Sequence, residues 1–299
     1  MKTVECIPNF SEGRDRESLD KLAACASSFP GVVLLDYSAD VSHNRSVFTL
    51  LGDPEGIADA AFGLAKLAQD LIDLTKHKGE HPRMGAVDVI PFVPVRGVTA
   101  ADCVEISKNV GEKIGRELGI PVFLYEDSCT AEHRRNLAAV RKGQFEGMAE
   151  KIKEPEWAPD FGPCEVHPTA GAVAVGARMP LVAFNANLST SDITVADRIA
   201  KVIRGSGGGL KCCKAIGVML EERNIAQVSM NLVNCEITPI YRALELIRVE
   251  AARYGVVVTG TELIGLSPGK ALIDCAEYYL QIEGFDYAKQ VLENYLGGD

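Results

Sequence analysis

Residues 77–88 read His77-Lys78-Gly79-Glu80-His81-Pro82-Arg83-Met84-Gly85-Ala86-Val87-Asp88 and run directly into the apolar stretch Val89-Ile90-Pro91-Phe92-Val93-Pro94. Two imidazoles, two carboxylates and two cations crowd these twelve residues, beside a segment that reads as a buried strand. A loop carried by a rigid scaffold can aim side chains, so such crowding marks a candidate site. His81 precedes a proline, which pushes it into an extended, stiffened conformation. Its imidazole suits proton transfer near neutral pH. Glu80 could orient it or raise its pKa, and Arg83 could hold a carboxylate. A histidine in a charged turn is also an ordinary surface residue, and the loop alone leaves both readings open. His77, at a helix C-terminus, reads as an ordinary surface histidine.

Other motifs carry less. His77 and His81 have the spacing of a helical metal pair, but Gly79 and Pro82 make a continuous helix there improbable, and no further ligand has matching spacing. No metal site is expected. The Gly-rich run 205–209 follows a helix and precedes a strand, the reverse of a phosphate cradle, and reads as a mobile loop. Ser11 and Ser206 lack a nucleophile-elbow context. Cys212-Cys213 between two lysines could be low-pKa thiols or buried strand-edge residues.

The elements that must position the loop can be read from periodicity. The 299 residues are 47% hydrophobic and 24% charged, the composition of a globular protein, with room for two domains. A net charge of −10 argues against nucleic acid or an anionic membrane as partner, and leaves a locally basic pocket as the way to hold an anion. No run is long enough to span a bilayer, no signal-peptide core opens the chain, and the nine cysteines form no Cys-x-x-Cys pair. A cytoplasmic protein with reduced thiols is expected.

Strands are predicted at 3–7, 32–36 (buried), 46–50, 87–95, 121–125, 172–175, 181–186, 215–219, 226–233 and 256–263. Pro91 and Pro94 suggest that the 87–95 strand is bulged or at an edge. Helices are predicted at 15–28, from Asp53 to a last turn carrying Lys76, His77 and Lys78, then at 100–118, 131–140, 192–203 and 239–254. Periodicity fades between Gly143 and Pro168, where prolines cluster, so this stretch is expected to connect two α/β subdomains, 1–168 and 169–299.

Several stretches together resemble the formiminotransferase (glutamate formimidoyltransferase) family. They are Val4-Glu5-Cys6-Ile7-Pro8-Asn9-Phe10-Ser11-Glu12-Gly13, the 77–86 segment, and Trp157-Ala158-Pro159-Asp160-Phe161-Gly162-Pro163. Ala183-Phe184-Asn185 with Asn187-Leu188, Ala226-Gln227-Val228-Ser229 with Asn231-Leu232, and Glu262-Leu263-Ile264-Gly265-Leu266 add to it in order. The resemblance implies transfer of the formimidoyl group of N-formimidoyl-L-glutamate to N5 of tetrahydrofolate, a co-substrate, in histidine degradation. It implies an α/β fold of two subdomains whose mixed sheets face each other across a folate-binding cleft with helices outside, a homodimer, and a stand-alone transferase without a cyclodeaminase domain.

By the same resemblance His81 is the catalytic histidine. The folate-binding segment is Gly162, Pro163, Cys164, Glu165, Val166, His167, Pro168, Thr169, Ala170 and Gly171. Animal relatives carry Asp where this chain has Ser38, so Glu80, Asp36 or Asp40 is expected to support His81, or that assistance is absent. Arg45, Arg83 and Arg178 are the residues to set against substrate carboxylates; each is equally suited to a structural salt bridge. Formyl transfer between 5-formyltetrahydrofolate and glutamate, and folate binding without turnover, are the competing readings.

Overall fold

The computed structural model describes residues 2–41, 43–79 and 81–295. The chain divides into two compact units, 1–178 and 179–299. The first contains β1 (Thr3–Cys6), β2 (Asn9–Phe10), α1 (Arg16–Ala26), β3 (Val32–Asp40), β4 (Arg45–Gly52), α2 (Pro54–Leu71), β5 (Val87–Arg96), α3 (Ala100–Leu118), β6 (Val122–Glu126), α4 (Leu137–Arg141), α5 (Gln144–Lys151) and β7 (Val173–Ala177). Its seven strands form one mixed sheet, in which β3 pairs with β4, β4 with β1 and β2, these two with β5, β5 with β7, and β7 with β6. The β5–β7–β6 pairings are parallel and the rest antiparallel.

β5 lies inside this sheet, bulged but not at an edge. Pro8 interrupts the first strand opposite the stretch of β5 that contains Pro91, and the ladder continues through Ile7 N–H to Pro91 O (3.2 Å) and Phe48 N–H to Pro8 O (3.0 Å). Prolines are tolerated in mid-sheet where the ladder is already broken and no donor is missing from it. The exposed strand is instead β3: Val33 and Leu35 face solvent because β3 pairs only with β4.

Alternation along the strands builds two cores on the two faces of this sheet. Val122, Leu124, Val173 and Val175 join the main core under α1, α2 and α3. Phe123, Tyr125, Ala172 and Ala174 face a smaller one with Met84, Val140, Met148 and Ile152, under α4 and α5. Asp53 caps α2 through the N–H groups of Glu55 and Gly56. That helix stops at Leu71, so Lys76, His77 and Lys78 lie beyond it and not in its last turn.

The Pro-rich stretch 143–168 does not link the units. Val122 N–H donates to Phe161 O (2.9 Å), and a Cβ on Gly115 would lie 2.5 Å from Gly162 N, so the stretch packs against α3 and β6 of the first unit. The unit extends past 168 to Arg178 because β7 is inserted between β5 and β6.

The second unit contains β8 (Val182–Leu188), α6 (Ile193–Ile203), β9 (Cys213–Leu220), β10 (Ile225–Leu232), α7 (Ile240–Ala252), β11 (Val258–Ile264), α8 (Gly269–Leu280) and α9 (Tyr287–Gln290). Its sheet, ordered β11-β8-β10-β9, is antiparallel throughout, so only the first sheet is mixed. Val182, Phe184, Ala186, Leu188, Ala226, Val228 and Met230 turn one face toward α6 and α7. The nine cysteines are unpaired. No helix among the described residues is long and apolar enough to cross a membrane.

Candidate active site

His81 sits where the loop after α2 approaches β5. Its Nδ1 lies 2.7 Å from the carbonyl oxygen of Pro82. A carbonyl only accepts, so Nδ1 carries the proton and Nε2 keeps its lone pair. Burial, then the guanidinium groups of Arg45 and Arg141, hold the pKa down at about 4, against a partial offset from Pro82 O and Asp88. The ring is therefore neutral at pH 7 and is a base, not an acid, before substrate arrives.

The charges around it form a compact cluster. Asp88, completely buried at the start of β5, accepts from Met84 N–H (2.9 Å) and from Arg45 Nη1 (2.8 Å). Arg45 Nη2 donates to Asn9 Oδ1 (2.8 Å), and Arg141 Nη2 stands 2.5 Å from the same Asp88 oxygen. Arg141 Nη2 and Nε are nevertheless buried without hydrogen-bond geometry to any acceptor, so the contact with Asp88 is one of charge alone. Burial pushes the Asp88 carboxyl up, but Arg141 and Arg45 outweigh it and leave its pKa below the usual value. Two cations share one anion, so the cluster is net positive beside a neutral imidazole.

Sequence reasoning noted Asp88 without giving it a role, although a lone acid inside the apolar 87–93 run was the available signal. Arg141, on a short helix, had none.

The segment 162–171 lies against the His81 loop. Ala86 N–H donates to Ala170 O (2.9 Å), Ala172 N–H to Met84 O (2.9 Å) and Leu74 N–H to Thr169 O (2.9 Å). A Cβ on Gly85 would stand 2.0 Å from Ala172 O, and one on Gly171, whose φ is +73°, 2.2 Å from Met84 O; two backbones meet here at a distance that only glycine allows. Gly162, Pro163, Cys164, Glu165 and Pro168 are exposed, Val166, His167 and Thr169 half-buried, and Ala170 and Gly171 buried. His167 Nδ1 accepts from Ala170 N–H (3.0 Å), and burial lowers its pKa, so this second histidine holds the turn.

The expected arginines separate. All five N–H groups of Arg83 are used: two reach Glu146 (2.8 and 2.6 Å), and the others reach Gln144 Oε1, His77 Nδ1 and His77 O. The bidentate partner of Arg83 is therefore Glu146, not a substrate carboxylate. Arg45 is tied to Asp88 and Asn9 through one N–H on each terminal nitrogen, which leaves it further donors. Arg178 ends the first unit, where its charge bears on Glu5 and Tyr125.

Of the acids considered for His81, Glu80 lies outside the described residues, and Asp36 is exposed on β3. Asp40 reaches a different histidine, with Oδ2 3.0 Å from His43 Nδ1. Among the described residues, the acid whose charge bears on His81 is Asp88.

In the second unit, the sheet face turned away from α6 and α7 carries two side-chain amides gathered on an ion pair. Gln227 Nε2 donates to Asn187 Oδ1 (2.7 Å) and Glu262 Oε2 (3.0 Å), while Asn187 Nδ2 and Arg223 Nη1 donate to Glu262 Oε1 (3.0 and 2.8 Å). Among the described residues no group of three or more His, Cys, Asp or Glu is placed to hold a metal ion.

Residues 3–178 match the model of the formiminotransferase domain, N-terminal subdomain, and residues 183–292 that of the formiminotransferase domain. A glutamate formimidoyltransferase of Streptococcus pyogenes is 67% identical over 99% of both chains. One from Thermoplasma acidophilum is 48% identical over 96% of this chain and 95% of its own. The formimidoyltransferase-cyclodeaminase of Mus musculus is 46% identical over 94% of this chain and 53% of that longer protein. With both family models matched in order across nearly its whole length, the chain belongs to the formiminotransferase family.

Proposed function

We propose that this protein is an enzyme that moves the formimidoyl group of N-formimidoyl-L-glutamate to N5 of tetrahydrofolate, releasing L-glutamate. The observation that carries the reading is the backbone pairing of the His81 loop with the 162–171 segment, beside a buried cationic cluster, in a chain of this family. Tetrahydrofolate is the co-substrate and lies against 162–171. Of the residues set against carboxylates, Arg45 keeps that role, Arg141 joins it through its unmatched N–H groups, and Arg178 stays a candidate.

The chemistry asks for two proton movements. N5 attacks the amidine carbon, giving a tetrahedral centre bearing three nitrogens. The proton of N5 leaves, the bond to the glutamate nitrogen breaks, and that nitrogen gains a proton. His81, with Nε2 unprotonated, takes the first proton, an assistance worth roughly 10²–10⁴ in rate. The cationic cluster favours the anionic substrate and keeps the imidazole in its basic form. Holding both molecules in register supplies much of the remaining acceleration. We read the enzyme as a cytoplasmic homodimer of histidine degradation; sedimentation of the purified protein tests the dimer.

The experiment is a turnover assay with tetrahydrofolate and formimidoylglutamate, run beside 5-formyltetrahydrofolate with glutamate. Formation of 5-formimidoyltetrahydrofolate is expected; reaction of the formyl pair alone would replace the substrate. His81→Ala should bind folate within a few-fold of wild type and turn over about 10²-fold more slowly or worse. Unchanged turnover would remove His81 from the mechanism.

A further inference from the structure

A second imidazole faces His81 and has no part in the scheme above. The rings of His43 and His81 meet edge to face, with centroids 6.1 Å apart and planes at 70°. His43 lies in the turn between β3 and β4, and Asp40 approaches it twice: Oδ1 accepts from its backbone N–H (2.7 Å), and Oδ2 lies 3.0 Å from its Nδ1. Among the described residues its Nε2 meets no hydrogen-bond partner. Its charged neighbour is thus a carboxylate, whereas around His81 the two guanidinium groups of Arg45 and Arg141 outweigh the carboxylate of Asp88.

The turn is fixed to the His81 loop and does not drift beside it. Asn44 adopts φ +49°, is buried, and spans the two segments. Its side chain accepts from Gly13 N–H (2.9 Å) and donates to Lys78 O (3.1 Å), and its own carbonyl lies 2.9 Å from His77 Nε2. A Cβ on Gly79 would stand 2.2 Å from His43 O and 2.9 Å from Asn44 Cβ, so the two backbones are in direct contact. His77 in turn receives Arg83 Nε, which ties the turn to the Arg83–Glu146 pair. A clamp of this kind gives two imidazoles a set separation, which a surface histidine does not need.

The departing and attacking nitrogens of the tetrahedral intermediate are bonded to one carbon. Two imidazoles in ring contact can each come within roughly 3 Å of one of these nitrogens, as proton transfer requires. We propose that His43, oriented by Asp40, is the second proton-transfer group of the reaction, protonating the glutamate nitrogen as its bond to carbon breaks, while His81 removes the proton of N5. The electron pair of the breaking C–N bond goes to the glutamate nitrogen and takes the proton from His43. The C–N5 bond formed at the start remains, and the proton held by His81 returns to His43 directly or through water before the next turnover. Asp40, one of the acids expected to support His81, therefore acts on His43. The inference rests on the formimidoyl-transfer reading.

The test uses His43→Ala, His43→Gln and Asp40→Asn in the intact protein, with formimidoylglutamate and tetrahydrofolate. His43 is about half exposed, with 48% of its side chain accessible, so the variants should fold as the wild type does, and circular dichroism checks this. His43→Ala is expected to lower kcat by about 10² with KM nearly unchanged. Added imidazole should restore a share of its turnover that rises with concentration, with no such gain for wild type. Asp40→Asn should lower kcat less. A kcat within two-fold of wild type, or a loss that imidazole does not relieve, would overturn the assignment; the latter would leave His43 a brace for its loop. A wild-type enzyme inactive with formimidoylglutamate would instead overturn the underlying function.

Discussion

The two units solve the burial of polar groups in opposite ways. The first places a full ionic cluster, Asp88 between Arg45 and Arg141, beside a neutral imidazole. The second lays Asn187 and Gln227, both almost wholly buried, on the sheet face turned away from α6 and α7 and anchors them to Glu262. Burying charge costs far more than burying amides unless every charge is paired, and the first cluster leaves Arg141 incompletely satisfied. An arrangement that costly makes sense where its field acts on a titrating group, and His81 is that group. The second network acts on its own acceptor instead: hydrogen bonds from Asn187, Gln227 and Arg223 hold the Glu262 carboxyl below its usual pKa and fix a set of donors and acceptors on the sheet.

Removing the shared anion should break the comparison most visibly. Asp88→Asn leaves two guanidinium groups facing each other in a buried site, and breaking a buried pair in this way costs about 3–5 kcal/mol. Urea unfolding should show that loss, and activity should fall with it. The wild-type pH dependence has a definite sign. The native pKa of Asp88 is lowered, so its ionised form contributes stability above its unfolded value of about 4. That contribution is lost as pH falls through the lower native pKa, and Asp88→Asn should flatten this acid limb. Stability within about 1 kcal/mol of wild type would refute the ionic reading.

Arg141→Gln should have a smaller and more specific effect. It removes one of the two cations that hold His81 in its basic form, so the acid limb of kcat/KM should move from near pH 4 toward higher pH. It should stop short of the ordinary imidazole value, because burial is the larger cause and remains. A limb that does not move would detach the cluster from the imidazole. Arg83→Lys, whose partner is Glu146, should leave the KM for formimidoylglutamate unchanged while loosening the His77 clamp. A raised KM would return Arg83 to the substrate.

Much of this contrast was readable from residue types. The 77–88 loop announced itself by crowding, His81 by the proline after it, and the Asp53 cap by the helical periodicity that begins just beyond it. The features that escaped depend on packing. Pro91 looked like an edge residue because sequence does not show that Pro8 breaks the partner strand at the same level. The 143–168 stretch looked like a connection because its order comes from contacts with α3 and β6, not from periodicity of its own. Arg83 and Arg45 looked alike, yet the loop geometry gives the first to Glu146 and the second to Asp88. His43 was one polar residue in a polar turn until its distance from His81 was known.

The smallest expected effect lies in the second unit. Gln227→Leu keeps nearly the same volume but removes the donor shared by Asn187 Oδ1 and Glu262 Oε2. Asn187 is buried and loses a partner, whereas Glu262 is partly exposed and keeps Asn187 Nδ2 and Arg223. One buried acceptor is thus stranded, at a cost of about 1–3 kcal/mol, below that of Asp88→Asn because no charge is left unpaired. The acid limb of kcat/KM should stay where it is, since none of the charges that set the His81 pKa belongs to this network. If Gln227→Leu moved that limb as far as Arg141→Gln does, the division between a cluster that tunes a base and a network that shapes a surface would fail.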